Sequence, residues 1–287
     1  MGEFYNPDKL YKGGSRNNSL INKKMIFRVL GVLLFIESAM FLLCAAVSLC
    51  YGEQDYQYFL YTILLNTLVG GVLLICSRGA ENRLTRRDGY CIVTFTWFLF
   101  TLFGMLPFYF SGGILSVTDA FFETMSGFTT TGATILDDIE SLSHGLLFWR
   151  SLTQWIGGLG IVFFTIAVLP IFGGGTIQLF SAEAIGVTHD KTHPRIDVMA
   201  KWLWMIYAIL TIAETVLLMI GGMSFFDAVC HSFSTTATGG YSTKQASVAY
   251  WNSPFIEYVI AIFMILSGIN FSLYFMCLKG KGKRLFQ

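Results

Sequence analysis

Ser126-Gly127-Phe128-Thr129-Thr130-Thr131-Gly132-Ala133-Thr134 is a polar, uncharged end to a semi-apolar stretch, and it has a counterpart at Ser234-Thr235-Thr236-Ala237-Thr238-Gly239-Gly240-Tyr241-Ser242. The two align without a gap, Ser126 on Ser234, Thr130 on Thr238 and Gly132 on Gly240. Upstream, Ser116-Val117-Thr118-Asp119 and Ser224-Phe225-Phe226-Asp227 each carry a Ser-x-x-Asp helix-capping pattern. A Gly-Gly pair before each cap (Gly112-Gly113, Gly221-Gly222) allows a tight turn. The pieces that follow the caps, about 117–128 and 225–235, are too short to cross a bilayer. Each unit therefore reads as helix, short re-entrant pore helix, polar loop, helix, and the chain holds it twice.

Composition sets the solvent for this unit. The 287 residues are 54% hydrophobic and only 13% charged, with a mean hydropathy of +0.60. Soluble domains carry about one-quarter charged residues, so lipid is the expected surrounding. Apolar runs predict spans at about 25–50, 57–77, 89–110, 147–170, 200–221 and 254–277. The fold class expected is all-α integral membrane: an extra N-terminal helical hairpin (25–88), then two pore repeats of potassium-channel-like build (89–195 and 196–278). A polar tail (1–24) precedes them and a basic end (279–287) follows. With both termini cytoplasmic, only Arg150 and Lys244 of the 19 Lys and Arg fall outside, which satisfies the positive-inside rule. The first apolar run begins near Met25 and is long enough to span, so it is read as a retained helix and not a cleaved signal.

The polar loops, 129–134 and 237–242, lie where irregular backbone is tolerated only if protein or water satisfies it. Glycine permits backbone angles that turn successive carbonyls one way, and threonine adds an uncharged side-chain oxygen. Pore helices ending at these loops present their negative dipole ends, which favours a cation. An anion pore would want Lys or Arg, and neither loop has one. No Ser/His/Asp grouping, HExxH or phosphate loop occurs, so no enzyme chemistry, organic cofactor or nucleic-acid partner is expected. The cysteines (Cys44, Cys50, Cys76, Cys91, Cys230, Cys277) lack metal-ligand spacing, and Gly173-Gly174-Gly175 reads as a turn.

Other polar residues in apolar surroundings have structural readings. Glu37 and Glu214 are expected to pair with a neighbouring helix or lie near an interface rather than transport ions. His231 is expected to be packed and hydrogen-bonded. Arg150 either tethers the first loop through Asp137, Asp138 or Glu140, or sits among headgroups. Gly157, Gly158 and Gly160 fit close helix packing, or room for a pore loop behind them.

The run from Ser126 to Thr134 closely resembles the first filter of the TrkH/KtrB potassium-uptake subunits. Trp149-Arg150-Ser151-Leu152-Thr153-Gln154-Trp155-Ile156-Gly157-Gly158-Leu159-Gly160 resembles the helix after that filter, and Phe233 to Thr243 the second filter. The resemblance implies a K+ uptake pore subunit of a bacterial inner membrane. Thr130, Thr131 and Gly132 would form one filter quadrant and Thr238, Gly239 and Gly240 a second, with K+ at Thr130, Thr131, Thr238 and Gly239. Thr129, Ala237 and Arg150 would support them. It further implies a homodimer gated by a cytosolic TrkA-type nucleotide-binding subunit, for which basic segments 78–88 and 188–201 are docking candidates or plain topology signals. The family builds its pore from four repeats and two are present, so an N-terminal half that does not conduct alone is expected. A Na+-permeable relative and a non-conducting assembly subunit are the alternatives; Gly132 and Gly240, where serine would signal Na+, speak against the first.

Overall fold

The computed structural model describes residues 21–80, 85–160, 196–269 and Tyr274. Regular structure among the described residues is helical throughout: α1 (Lys23–Cys50), α2 (Tyr56–Cys76), α3 (Arg86–Gly104), α4 (Leu106–Phe110), α5 (Val117–Phe128), α6 (His144–Gly158), α7 (Ile196–Ile220), α8 (Phe225–Thr236) and α9 (Pro254–Gly268), with a 3-10 turn at Ser247–Trp251. Four stretches, Lys23–Cys50, Tyr56–Cys76, Arg87–Phe110 and Trp202–Ile220, are long and apolar enough to cross a membrane. The two expected pore helices are α5 and α8. The tail to residue 20, the Gly173-Gly174-Gly175 turn, the far part of the 147–170 span and the basic end 279–287 lie outside the described residues.

The N-terminal hairpin closes on glycine. A Cβ added to Gly31 would lie 2.9 Å from the Gly70 carbonyl oxygen, and one at Gly70 would lie 3.1 Å from that of Gly31. Backbones in such contact maximise dispersion where lipid offers no hydrophobic drive. Near this crossing, Asn66 Nδ2 donates to Glu37 Oε2 and to the Leu34 carbonyl, each at 3.1 Å. Glu37 thus pairs with its neighbouring helix, as expected.

Both ends of the hairpin are tied down. At the start of α1, Asn22 caps Met25 N–H with its side chain, while its own N–H donates to Asp88 Oδ1 at 2.7 Å. Asp88 in turn forms a capping box with Thr85 at the start of α3. In the loop between α1 and α2, Glu53 Oε1 lies 2.7 Å from His144 Nδ1. The Tyr51 ring stacks on that imidazole at 3.8 Å, and Phe226 of α8 packs edge-on to both.

The span at 89–110 departs from a single helix: it breaks at Met105. Pro107 has no N–H to return to Phe103, so the ladder is interrupted and a short helix, α4, restarts. Trp149 of α6 uses the break, its indole N–H donating to the Gly104 carbonyl at 2.8 Å. Fully buried, Trp149 packs between Phe41 of α1 (4.5 Å between ring centroids) and Phe128 of α5 (5.9 Å). A smaller core of Leu218, Ile256, Ile260 and Phe263 joins α7 to α9. Helix α6 packs against both pore helices, which places it between the repeats.

Candidate functional site

Each pore helix begins and ends the same way. The Ser116 and Ser224 hydroxyls accept from the N–H groups of Asp119 and Asp227, at 3.3 and 3.1 Å. At the far end both helices close in a Schellman motif. Thr130 N–H donates to the Gly127 carbonyl and Thr131 N–H to that of Ser126, both at 3.0 Å. In the second repeat Thr238 donates to Thr235 at 2.9 Å and Gly239 to Ser234 at 2.8 Å.

This cap leaves the backbone alternating in hand. Thr129 has φ −80°, Thr130 +53° and Gly132 +72°, with Thr131 on the ordinary negative side. The second loop repeats the pattern at Ala237 (−79°), Thr238 (+55°) and Gly240 (+89°), with Gly239 between them. Alternation of this kind turns successive carbonyls to one side of the chain, the arrangement that can replace a cation's water. Glycine enters the left-handed region freely, but a β-branched threonine does not. Two threonines held there at equivalent positions are strain kept by the surrounding structure. The side chains of Thr129 and Thr131 bond each other at 2.9 Å, and Thr129 also donates to the Met125 carbonyl.

The two loops meet. A Cβ at Gly132 would fall on the carbonyl oxygen of Gly239, so these two expected site residues are in direct apposition. Behind them, a Cβ at Gly157 would fall on the Phe128 carbonyl oxygen, and one at Gly158 would lie 2.6 Å from the Ala237 Cα. These α6 glycines therefore make room for the last turns of both pore helices.

After each loop the chain is latched to its own pore helix, by different chemistry. In the first repeat Thr134 Oγ1 and Ile135 N–H donate to the Glu123 carboxylate, each at 3.0 Å. The corresponding position in the second repeat is His231. Its Nδ1 lies 2.8 Å from the Asp227 carbonyl, which fixes that nitrogen as the donor. Nε2 then accepts from the hydroxyl of Ser242, the counterpart of Thr134, at 2.9 Å. His231 is a packed, hydrogen-bonded histidine, as expected.

Arg150 corrects the sequence reading. It is 2% exposed, which removes it from headgroups, and its partner is none of Asp137, Asp138 and Glu140. Arg150 Nε donates to Glu123 Oε1 at 2.7 Å, Nη1 donates to the Ser242 carbonyl at 2.9 Å, and the guanidinium lies 3.6 Å from the Tyr241 ring centroid. A desolvated guanidinium requires a carboxylate in the same desolvated space, and Glu123 on the facing helix supplies it. Glu140 instead bonds Lys244 Nζ, at 3.3 Å.

Tyr241 completes the crossing between repeats, its hydroxyl donating to the Glu123 carbonyl at 2.8 Å. Gln154, one turn along α6 from Arg150, accepts from Tyr241 N–H at 3.1 Å and from the Ser234 hydroxyl. Glu123 and Gln154 thus join the candidate site though the sequence reading gave them no role in it, whereas Tyr241 lies within the loop 237–242 already singled out. A glutamate inside a short pore helix was the available signal for the first. Glu214 of α7 faces Thr236 in the last turn of α8, Oγ1 to Oε2 at 3.4 Å, a pairing with a neighbouring helix. Among the described residues no group of three or more His, Cys, Asp or Glu could hold a metal ion.

Comparison with known proteins fits this geometry. Residues 55–287 match the family model TrkH, described as a cation transport protein. The chain is 43% identical over 265 residues to the Trk system potassium uptake protein TrkH of Salmonella typhimurium, covering 92% of this chain and 55% of that protein. It is 35% identical over 260 residues to TrkG of Escherichia coli K12, covering 90% and 54%. The crystal structure of the potassium transporter TrkH from Vibrio parahaemolyticus superposes with a TM-score of 0.76 at 38% identity, covering 90% of this chain and 52% of that one. The chain spans about half the length of the curated relatives it matches.

Proposed function

This chain belongs to the TrkH family of cation transport proteins, and from that membership we propose that it contributes two quadrants of a four-quadrant K+-selective pore. One observation carries the reading: the same helix cap and the same alternation of backbone hand occur at both loops, with Gly132 and Gly239 in apposition. K+ sheds water against the carbonyls of Thr130, Thr131, Gly132, Thr238, Gly239 and Gly240, aided by the threonine hydroxyls. The carboxyl-terminal ends of α5 and α8 add partial negative charge beside it. Inward movement follows the membrane potential, worth about 2.3 kcal/mol per charge per 100 mV. No bond is made or broken. The setting proposed is a bacterial inner membrane with both termini cytoplasmic, in a homodimer regulated by a cytosolic nucleotide-binding subunit of the TrkA type.

The test is ion-dependent thermal stabilisation of the purified chain in lipid nanodiscs, at matched ionic strength. K+ and Rb+ are expected to stabilise at lower concentration than Na+, and Gly240→Ser, whose added Cβ meets nothing within 4 Å, to erode that preference. Equal stabilisation by Na+ sinks the K+ reading. Rb+ flux into proteoliposomes of the same chain separately reports whether two quadrants conduct by themselves.

A further inference from the structure

Gln154 is fully buried on α6, and its amide is only half accounted for. Oε1 accepts from Tyr241 N–H and the Ser234 hydroxyl, both in the second repeat. Because Tyr241 N–H is a donor, the atom facing it must be the oxygen, which fixes the orientation of the amide. Nε2 has no hydrogen-bond partner among the described residues. It lies at the junction of the loops: a Cβ at Gly132 would stand 3.7 Å from it and one at Gly239 2.6 Å. The three atoms nearest to that Gly239 Cβ all belong to Gln154. Gly239 also has an ordinary negative φ, so Gln154 is what stands against alanine there.

We propose that Gln154 is a positioning residue that sets the spacing between the two filter loops and thereby the discrimination against ions smaller than K+. The inference rests on the reading of these loops as a filter. The oxygen holds the second loop. The amide body fills the space over Gly239, and Nε2 faces the junction with the first loop, so the loops cannot close further. A filter that cannot contract leaves a smaller ion under-coordinated, whereas a collapsible one admits it. Arg150, on the same face of α6, ties the pore helix of the first repeat to the chain after the second filter, so both loops are referred to one rigid helix.

The experiment uses the whole chain in lipid nanodiscs, with two readouts: the ratio of K+ to Na+ stabilising concentrations, and hydrogen exchange resolved over 129–134 and 237–242. Gln154→Leu is expected to reduce the K+ preference by roughly tenfold or more and to speed exchange in both loops. Gln154→Glu keeps the acceptor for Tyr241 and loses the donor; slow exchange at Tyr241 with a reduced K+ preference is the expected result. Gly239→Ala is expected to disturb the wild-type chain but to be tolerated in Gln154→Ala, where the added methyl reoccupies vacated space. Faster exchange confined to 237–242, a wild-type ion preference in Gln154→Leu, or Gly239→Ala equally disruptive in both backgrounds overturns the proposal. If the wild-type chain shows no preference for K+, the filter reading fails, and the exchange pattern alone then decides whether Gln154 couples the loops.

Discussion

The two pore repeats share a backbone and differ in what supports it. Both have the serine cap, the Schellman close and a threonine in the left-handed region. Behind that shared template, Glu123 latches the first loop and His231 the second. The helices that follow the loops diverge further. Helix α6 carries Arg150 and Gln154 into the space between the repeats, whereas α9 buries Ile256, Val259, Ile260 and Phe263 against apolar neighbours. A single ion shared by both loops, as proposed, would require the backbone geometry to be repeated. Side-chain support is dictated by what lies behind each loop and need not be.

Substitutions that separate these two layers test the comparison. The largest effect is expected for Arg150→Ala, which leaves the Glu123 carboxylate buried without its cation and should cost about 3–5 kcal/mol in denaturant unfolding of the purified chain. Replacing the pair together, Arg150→Met with Glu123→Leu, should recover most of that loss, because neither charge is then stranded. Gly157→Ala comes next, at about 1–3 kcal/mol, since its methyl must displace the Phe128 carbonyl. His231→Ala removes a neutral latch and should cost about 1–2 kcal/mol, visibly less than the loss at Arg150. A cost at His231 equal to that at Arg150 would erase the distinction between a charged and a neutral support.

The smallest effect concerns the shared layer. Thr130→Gly and Thr238→Gly relieve a β-branched residue of about 1–2 kcal/mol of left-handed strain, offset by roughly 0.5–1 kcal/mol of added freedom in the unfolded chain. Each should stabilise by up to about 1 kcal/mol. The two values should agree, because the caps are the same. Thermal unfolding of the two variants side by side checks this, and a gain at one position only would show that the repeats differ in backbone as well as in support.

What was legible in the sequence follows the same division. The caps at Ser116 and Ser224, the lengths of α5 and α8 and the loops beyond them are local features, written in residues a few positions apart. So are the apolar spans, whose described starts fall within a few residues of expectation, although α6 stops at Gly158 and α9 at Gly268, short of the ends expected at 170 and 277. The break at Met105 was legible in principle from Pro107 but is masked by unbroken hydropathy on either side. The partner of Arg150 was not legible. Asp137, Asp138 and Glu140 are nearer in sequence, yet burial decides the pairing, and Glu123 becomes a neighbour only when α5 packs on α6. Gln154 likewise gains its role from Tyr241 and Ser234, which belong to another repeat and offer no spacing rule to find them by.

The Schellman close has a consequence for how such a chain can vary. The alternation of hand begins at a fixed distance from the last turn of the pore helix, and that turn is itself counted from the capping serine. One residue inserted between Ser126 and Gly132, or between Ser234 and Gly240, would exchange left-handed for right-handed at every later position and point the carbonyls away from their neighbours. The segment from cap to glycine thus works as a ruler without spare divisions. Substitutions within it are graded in effect, whereas insertions and deletions are all-or-none, and length variation belongs in the loops that follow, 135–143 and 243–253.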